Sequence, residues 1–347
     1  MKIVVMCGGL SPERNVSITS SALICRALRA MGHQAVMVDM FFGLEDYDCT
    51  PAQLFENLPE IPEVSVGHEA PDLDQIRASR KWQSRSMVGQ GVFELCQLAD
   101  LVFIGMHGAC GEDGRIQAAL DLMGVPYTGS GYLGSAIAMD KDLTKRVAAT
   151  FGVKTPAWET VSYKKEEIPA IVERTVVPCV IKPVDSGSSI GVSIANTKEE
   201  LEAALMDSLK FSRVVLEQFV KGREIDVAVL DGVALPSIEI IPKVGFYDYK
   251  NKYQAGAAEE VCPTVIDPAI EAKLREMALT VHNALGLSVY SRSDYIVDAN
   301  NDVYFIEMNT LPGMTPTSLM PQEAAAAGID YETLCRTIVE VSLRERG

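Results

Sequence analysis

The sequence predicts an α/β protein whose N-terminal part holds a parallel sheet and whose remainder mixes strands and helices in the α+β manner. Three observations carry this. Apolar runs at 2–7 and 34–38 flank a helical pattern at 16–31 closed by Gly32, which is a βαβ opening. From Thr155 onward short strands and helices alternate. The last third holds two hairpins, 225–230 with 234–241 across Asp231 and Gly232, and 290–298 with 303–309 across Asn300 and Asn301. Asn, Asp and Gly tolerate the positive φ that tight hairpin turns need.

The elements follow in order. The run at 2–7 reads as a buried parallel strand, and Gly8 with Gly9 ends it where α/β folds place ligands. Glu13 lies at that mouth; as a first-turn carboxylate it equally serves the helix dipole. The stretch 41–87 is irregular, acidic and interrupted by Pro51, Pro59, Pro62 and Pro71, so it reads as a long surface excursion. A helix at 88–98 and a strand at 101–104 follow, then the loop H-G-A-C-G-E-D-G at 107–114. Its glycines allow close backbone approach to a ligand, and His107 stands at the strand end. Further helices are expected at 113–123 and, unbroken, at 135–149. Between them G-S-G-Y-L-G at 129–134 matches G-x-G-x-x-G, but its preceding strand is short and no acid follows at the expected spacing. A P-loop is absent.

Strands are expected at 157–161 and 179–182, and then comes K-P-V-D-S-G-S-S-I-G-V-S at 182–193. A Gly- and Ser-rich flap between strands offers many N–H and O–H donors suited to phosphate, or is an ordinary hairpin loop. Lys182 favours phosphate, because an ammonium at the end of an apolar strand needs an anion. A helix at 197–209 begins with Thr197 as N-cap and Glu200 in the box position. The strand at 214–219 carries Glu217, and Glu224 follows Gly222. The loop F-Y-D-Y-K-N-K-Y at 246–253 has four aromatics in eight positions, costly to expose unless they close over something. A helix spans 267–285, and helices run from about 317 to the end.

The hairpin at 290–309 carries the most chemistry. Its register places Asp294 opposite Glu307 and Arg292 opposite Asn309 on one face, leaving Tyr295, Val297, Tyr304, Ile306 and Met308 on the core face. Two carboxylates and an amide converging from strands suit a hard cation such as Mg²⁺. A cross-strand ion-pair patch is the plainer alternative, but like charges directly opposite are unfavourable unless something positive lies between them.

Composition bounds the rest. The 347 residues, 48% hydrophobic and 22% charged, fit two or three globular domains. A net charge of −16 argues against broad nucleic-acid binding, so any phosphate must be handled by local Lys, Arg and metal. The eight cysteines show no C-x-x-C and no zinc-ligand spacing, which favours buried thiols in a reducing cytoplasm. The start is too short and too quickly polar for a signal peptide, and no apolar run approaches a membrane span.

In this order, the segments 8–17 (G-G-L-S-P-E-R-N-V-S), 107–114, 127–141, 182–193, 246–253 and 307–319 (E-M-N-T-L-P-G-M-T-P-T-S-L) resemble those of the D-alanine–D-alanine ligases of the ATP-grasp superfamily. The resemblance implies an N-terminal parallel-sheet domain at 1–135, a central ATP-grasp lobe at 136–220 and a C-terminal lobe at 221–347 with the metal and second-substrate sites. It implies a cytoplasmic homodimer that uses ATP and D-alanine, binds no membrane and works in peptidoglycan precursor synthesis. Asp294, Glu307 and Asn309 match the ligands of two Mg²⁺ ions, with Mn²⁺ as an alternative. Lys141 and Lys182 match lysines on ATP phosphates. Glu217 and Val220, with Phe219 between them, match the adenine hinge, Phe246 an aromatic on the adenine, Glu224 the ribose acid and Lys252 a mobile-loop lysine. Glu13, His107, Ser188 and Tyr253 match the first substrate site. Arg292, Gly313, Ser318 and Leu319 match the second site and the oxyanion contacts. Glu13, Ser188, Tyr253, Arg292 and Ser318 make up the catalytic set. Gln218 departs from the Lys often found at the hinge, and 41–87 and 254–262 match loosely. Sister ligases making D-alanyl-D-serine or D-alanyl-D-lactate are the near alternatives, and Tyr253 in a loop without His resembles the dipeptide makers. An NAD-dependent dehydrogenase built on 129–134 and a non-catalytic ATP-binding regulator are more distant ones.

Overall fold

The structure, a computed structural model, describes residues 1–63, 71–187, 191–243 and 258–346. Strands β1 (Lys2–Cys7), β2 (Gln34–Asp39) and β3 (Leu101–Ile104) form a parallel sheet in the order β2-β1-β3. Ile3 to Cys7 are all buried, as a central strand covered on both faces requires. The crossover helix Arg14–Ala30 starts beside the Gly8–Gly9 turn. Arg14 donates to the Gly9 carbonyl (2.6 Å) and pairs with Asp39 at the end of β2, which clamps the turn over the sheet edge. Gly8 has φ +69°, and a side chain there would collide with that Asp39 carboxylate.

Strands β4 (Trp158–Val161), β5 (Cys179–Pro183), β6 (Ser193–Ala195) and β7 (Val214–Gln218) form an antiparallel sheet in the order β4-β7-β5-β6. Helices Ile168–Arg174 and Lys198–Asp207 close its apolar face. The third sheet is antiparallel and joins β8 (Gly222–Leu230), β9 (Val233–Ala234), β10 (Ile238–Pro242), β11 (Ala258–Val261), β12 (Tyr290–Asp298) and β13 (Val303–Asn309), with β8 between β10 and β12. Helix Pro268–Ala284, N-capped by Asp267, packs on it. The turn between β8 and β9 has positive φ at Asp231 and Gly232, as expected for a two-residue hairpin turn.

The structure differs from the sequence reading in four places. The helix expected at 135–149 is two helices, Tyr132–Met139 and Lys141–Thr150, because Asp140 leaves helical geometry and its carboxylate caps the second by accepting from the Leu143 N–H (2.9 Å). The strand expected at 125–128 is a single bridge from Tyr127 to Val102. The excursion at 41–87 is partly built in: it holds helices Pro51–Glu56 and Leu73–Ser79, Phe41 and Phe55 are buried, and the buried Arg80 guanidinium stacks on Phe41 and Trp82.

The fourth difference concerns the hairpin. Asp294 does face Glu307 and Arg292 faces Asn309, but nearer the turn Tyr295 pairs with Phe305 and Val297 with Val303. The turn is one residue longer than expected, with Asn301 at φ +63°, and the register shift after Asp294 leaves Ile306 as an extra residue. The two one-residue departures cancel at the carboxylates. They do not cancel on the core face, which is Tyr295, Val297, Val303, Phe305 and Met308, while Tyr304 and Ile306 are only half-buried.

Candidate active site

An open cleft lies between the four-stranded sheet and the β12–β13 hairpin. Val180, Val192, Ile194, Phe219, Val220, Ile296 and Ile306 give it apolar walls, and Lys141, Lys182, Glu217, Glu224, Asp294 and Glu307 give it charge. The bulge that displaces Ile306 from the core is what turns it into this wall. Apolar walls together with lysines suit a purine and its phosphates.

The charges are arranged in three groups. Lys182 reaches the Glu217 carboxylate at 2.9 Å, and the buried Lys145 reaches the same carboxylate at 2.5 Å and Thr155 Oγ1 at 2.6 Å. The anion that Lys182 needs is therefore supplied by the protein, and Glu217 turns its side chain inward between two lysines. Burial works against the Glu217 charge, but Lys182 and Lys145 outweigh it and hold its pKa below the ordinary value. Burial pulls Lys145 down to about 8.

The second group is Lys141, whose Nζ stands 3.3 Å from Glu307 and donates to the Ser186 carbonyl (2.6 Å) at the described edge of the flap. The third is Arg292. It donates through Nε and Nη2 to both Asp294 oxygens (2.9 and 3.0 Å), and Nε also meets Asp226 at 3.0 Å. Burial opposes its charge, but Asp294 and Asp226 raise its pKa well above the ordinary value. Like charge at Asp294 and Glu307 is thus offset by Arg292 on one and Lys141 on the other. Asn309 Nδ2 lies 3.3 Å from both Asp294 oxygens, so the two carboxylates and the amide of the sequence reading do converge. Among the described residues no cluster of three His, Cys, Asp or Glu forms a preformed cage. Two carboxylates and an amide oxygen still fit Mg²⁺, which takes one or two carboxylates and completes its shell with water and substrate phosphate.

Beyond Arg292 the second half of the site is built from three loops. His107 Nδ1 bonds the Leu311 carbonyl (2.9 Å), and its Nε2 is buried with no hydrogen bond. Burial lowers the His107 pKa, with Glu13 opposing, which favours the neutral ring. Ser11 Oγ donates to the His107 carbonyl (2.8 Å), joining the loop that carries Glu13. Gly187, at the described end of the flap, comes so close to Glu13 that a Cβ there would stand 2.7 Å from its carboxylate. Ser318 Oγ accepts from the Thr315 N–H (3.1 Å) and closes the turn through Gly313, and Leu319 starts the next helix. Ser188, Phe246, Lys252 and Tyr253 lie outside the described residues. Sequence reasoning passed over Lys145, Glu112 and Asp226. Glu112 accepts from the Gly108 N–H (2.7 Å) and the Leu311 N–H (3.3 Å) and so ties the His107 loop to the 309–315 turn.

Residues 2–130 match the family model described as D-ala D-ala ligase N-terminus, and residues 147–340 the model described as D-ala D-ala ligase C-terminus. A D-alanine--D-alanine ligase of Pediococcus pentosaceus is 39% identical over 345 residues, which cover 98% of this chain and 97% of the relative. The chain belongs to the D-alanine–D-alanine ligase family. Among solved structures, the Bacillus anthracis ligase complexed with ATP superposes with a TM-score of 0.72 at 30% identity, covering 100% of this chain and 98% of the other. The VanG D-Ala:D-Ser ligase from Enterococcus faecalis gives 0.75 at 27% identity, covering 98% and 99%. In this ligase fold the G-S-G-Y-L-G stretch is a packing device. A side chain at Gly134 would meet the Leu285 and Gly286 carbonyls and Leu287, and one at Gly129 would meet Leu311, so the match carries no dinucleotide site.

Proposed function

We propose that the protein joins two D-alanines to D-alanyl-D-alanine at the expense of ATP, for peptidoglycan precursor synthesis in the cytoplasm. The carrying observation is that one hairpin, β12–β13, borders the cleft through Asp294 and Glu307 and also carries Arg292, whose charge acts on His107 and Glu112. A carboxylate is a poor acyl donor and must be activated. One carboxylate oxygen of the first D-alanine attacks the γ-phosphorus, the β–γ bridge breaks, and ADP leaves an acyl phosphate behind. Lys141 and Lys182 orient and offset the phosphate charge, and Glu217 with Lys145 fixes Lys182. Asp294, Glu307 and Asn309 would hold Mg²⁺, or Mn²⁺, and a bound divalent ion supplies further charge neutralisation at the phosphates. Glu13 and the neutral His107 bind the first substrate near Gly187. The second D-alanine gives its ammonium proton to solvent water before the site closes, then attacks the acyl carbon with its nitrogen lone pair. The resulting oxyanion is met by Arg292 and the Gly313 N–H, and inorganic phosphate leaves. Ser318 and Leu319 seat the second carboxylate. Ser188 and Tyr253 keep the roles at the first substrate that the resemblance implies, and Phe246 and Lys252 keep theirs at ATP.

The eight cysteines are all unpaired thiols, which supports a reducing compartment, and no described helix is long and apolar enough to cross a membrane. The test is coupled ADP release with Mg²⁺-ATP and D-alanine, alone and with D-serine or D-lactate added. D-Alanine alone should sustain turnover. A requirement for D-serine would move the protein to the reading that its likeness to the Enterococcus enzyme represents.

A further inference from the structure

Arg292 is gripped by two carboxylates that are not equivalent. Asp294 takes Nε and Nη2, lines the cleft, and faces Glu307 among the oxygens offered to a cation. Asp226 comes from β8, directly across from Asp294 in register, and takes Nε with Oδ2 at 3.0 Å. It is 1% exposed and is not part of the cleft lining. Among the described residues its ion pair is with Arg292, and its Oδ1 is buried with no hydrogen bond. A buried carboxylate with one unsatisfied oxygen is costly to keep, which makes Asp226 a residue whose role is worth testing beyond folding. A carboxylate drawn toward a cation has less electron density for a guanidinium, so Asp294 alone is a poor anchor for Arg292 during turnover. Asp226 is not among the residues that line the cleft, so the hold it gives Arg292 is separate from the oxygens offered to a cation.

We propose that Asp226 is a positioning residue for the second half of the reaction: its ion pair with Arg292, Nε to Oδ2 at 3.0 Å, keeps the guanidinium aimed at the acyl carbon. The inference rests on the reading of Arg292 as the cation that meets the oxyanion. It predicts an effect on peptide-bond formation and little on acyl-phosphate formation, because Lys141 and Lys182 pair with Glu307 and Glu217 and not with Asp226.

The test compares full-length Asp226→Val, which removes the acceptor, with Asp226→Asn, which keeps an acceptor oxygen, and with Arg292→Ala. Positional isotope exchange in bridge-labelled ATP reports the acyl phosphate at low D-alanine, dipeptide formation reports the second step, and thermal unfolding reports the fold. Asp226→Val should lower dipeptide formation by about tenfold to a hundredfold and raise the KM of the second D-alanine, with isotope exchange kept within about twofold. Asp226→Val should still unfold cooperatively, because Arg292 keeps Asp294 as a partner, and Asp226→Asn should recover much of the loss. Normal dipeptide formation by Asp226→Val would overturn the proposal, as would an equal fall in both half-reactions or a fall in step with Tm. If Arg292→Ala itself forms dipeptide normally, the reading of Arg292 fails; if only Asp226→Val does, that reading stands and Asp226 is structural.

Discussion

At Glu307 one side chain answers two demands. It pairs with Lys141 at 3.3 Å and borders the cleft opposite Asp294. Glu307→Gln keeps the shape and removes the charge, so Mg²⁺-dependent ADP release should fall by about a hundredfold or more. Normal release at ordinary Mg²⁺ would remove Glu307 from the proposed ligand set. Glu112 shows a different residue-scale effect. Burial, reinforced by Glu13, pushes its pKa up to about 8. The folded state then holds the proton more tightly than the unfolded chain, whose carboxyl titrates near the ordinary value. The stability this gives is complete in acid below the unfolded pKa and is lost as pH rises through about 8. Glu112→Gln resembles the protonated form and cannot ionise. Across that window the wild-type Tm should fall relative to that of Glu112→Gln; parallel calorimetric profiles would show that Glu112 is ionised in the fold.

At the scale of the element, Asp140 separates two helices and aims the second. Its Oδ1 accepts from the Leu143 N–H at 2.9 Å, its Oδ2 pairs with Arg213 at 2.8 Å, and Lys141 is the next residue. Asp140→Ala should cost about 1 kcal/mol in a denaturant titration from the lost cap. It should also raise the KM for ATP more than it lowers kcat, because the first turn that holds Lys141 loosens. An unchanged KM would uncouple the cap from the cleft. This element also marks what could be read from sequence. Periodicity found the helical stretch at 135–149 but not its break, since Asp140 fits either helix interior or cap until its partners are known. The hairpin pairs Asp294–Glu307 and Arg292–Asn309 were legible because side chains alternate and the turn residues are distinctive. The bulge at Ile306 was not, because a bulge is set by the packing of Phe305 and Val303 into the core. Lys182 was rightly read as an ammonium needing an anion, but its partner Glu217 lies on a strand whose neighbour only the folded sheet reveals. Asp226 was invisible for the same reason: nothing local says that β8 pairs with β12.

At the scale of the whole molecule, the apolar cores cross the divisions expected at 1–135, 136–220 and 221–347. The core around β1, β2 and β3 also takes in Leu334, Cys335, Ile338 and Val339 from the last helix, Tyr331–Arg346, which packs against helix Arg14–Ala30. The chain thus returns to cover its own first sheet after building the cleft. Stability of the loops that carry Glu13 and His107 then depends on a helix distant in sequence from both. Ile338 is fully buried in this shared core. Ile338→Ala leaves a cavity there and should cost about 2–5 kcal/mol. The loss should appear as faster hydrogen exchange in β1 and β3 as well as in the last helix, with β5 and β7 protected as before, because Val214, Leu216 and Ile181 belong to a separate core. Kinetics at low temperature should show normal KM values for ATP, since no cleft residue touches Ile338. If exchange quickens only in the last helix, that helix is a peripheral cover and the first sheet holds the substrate loops without it.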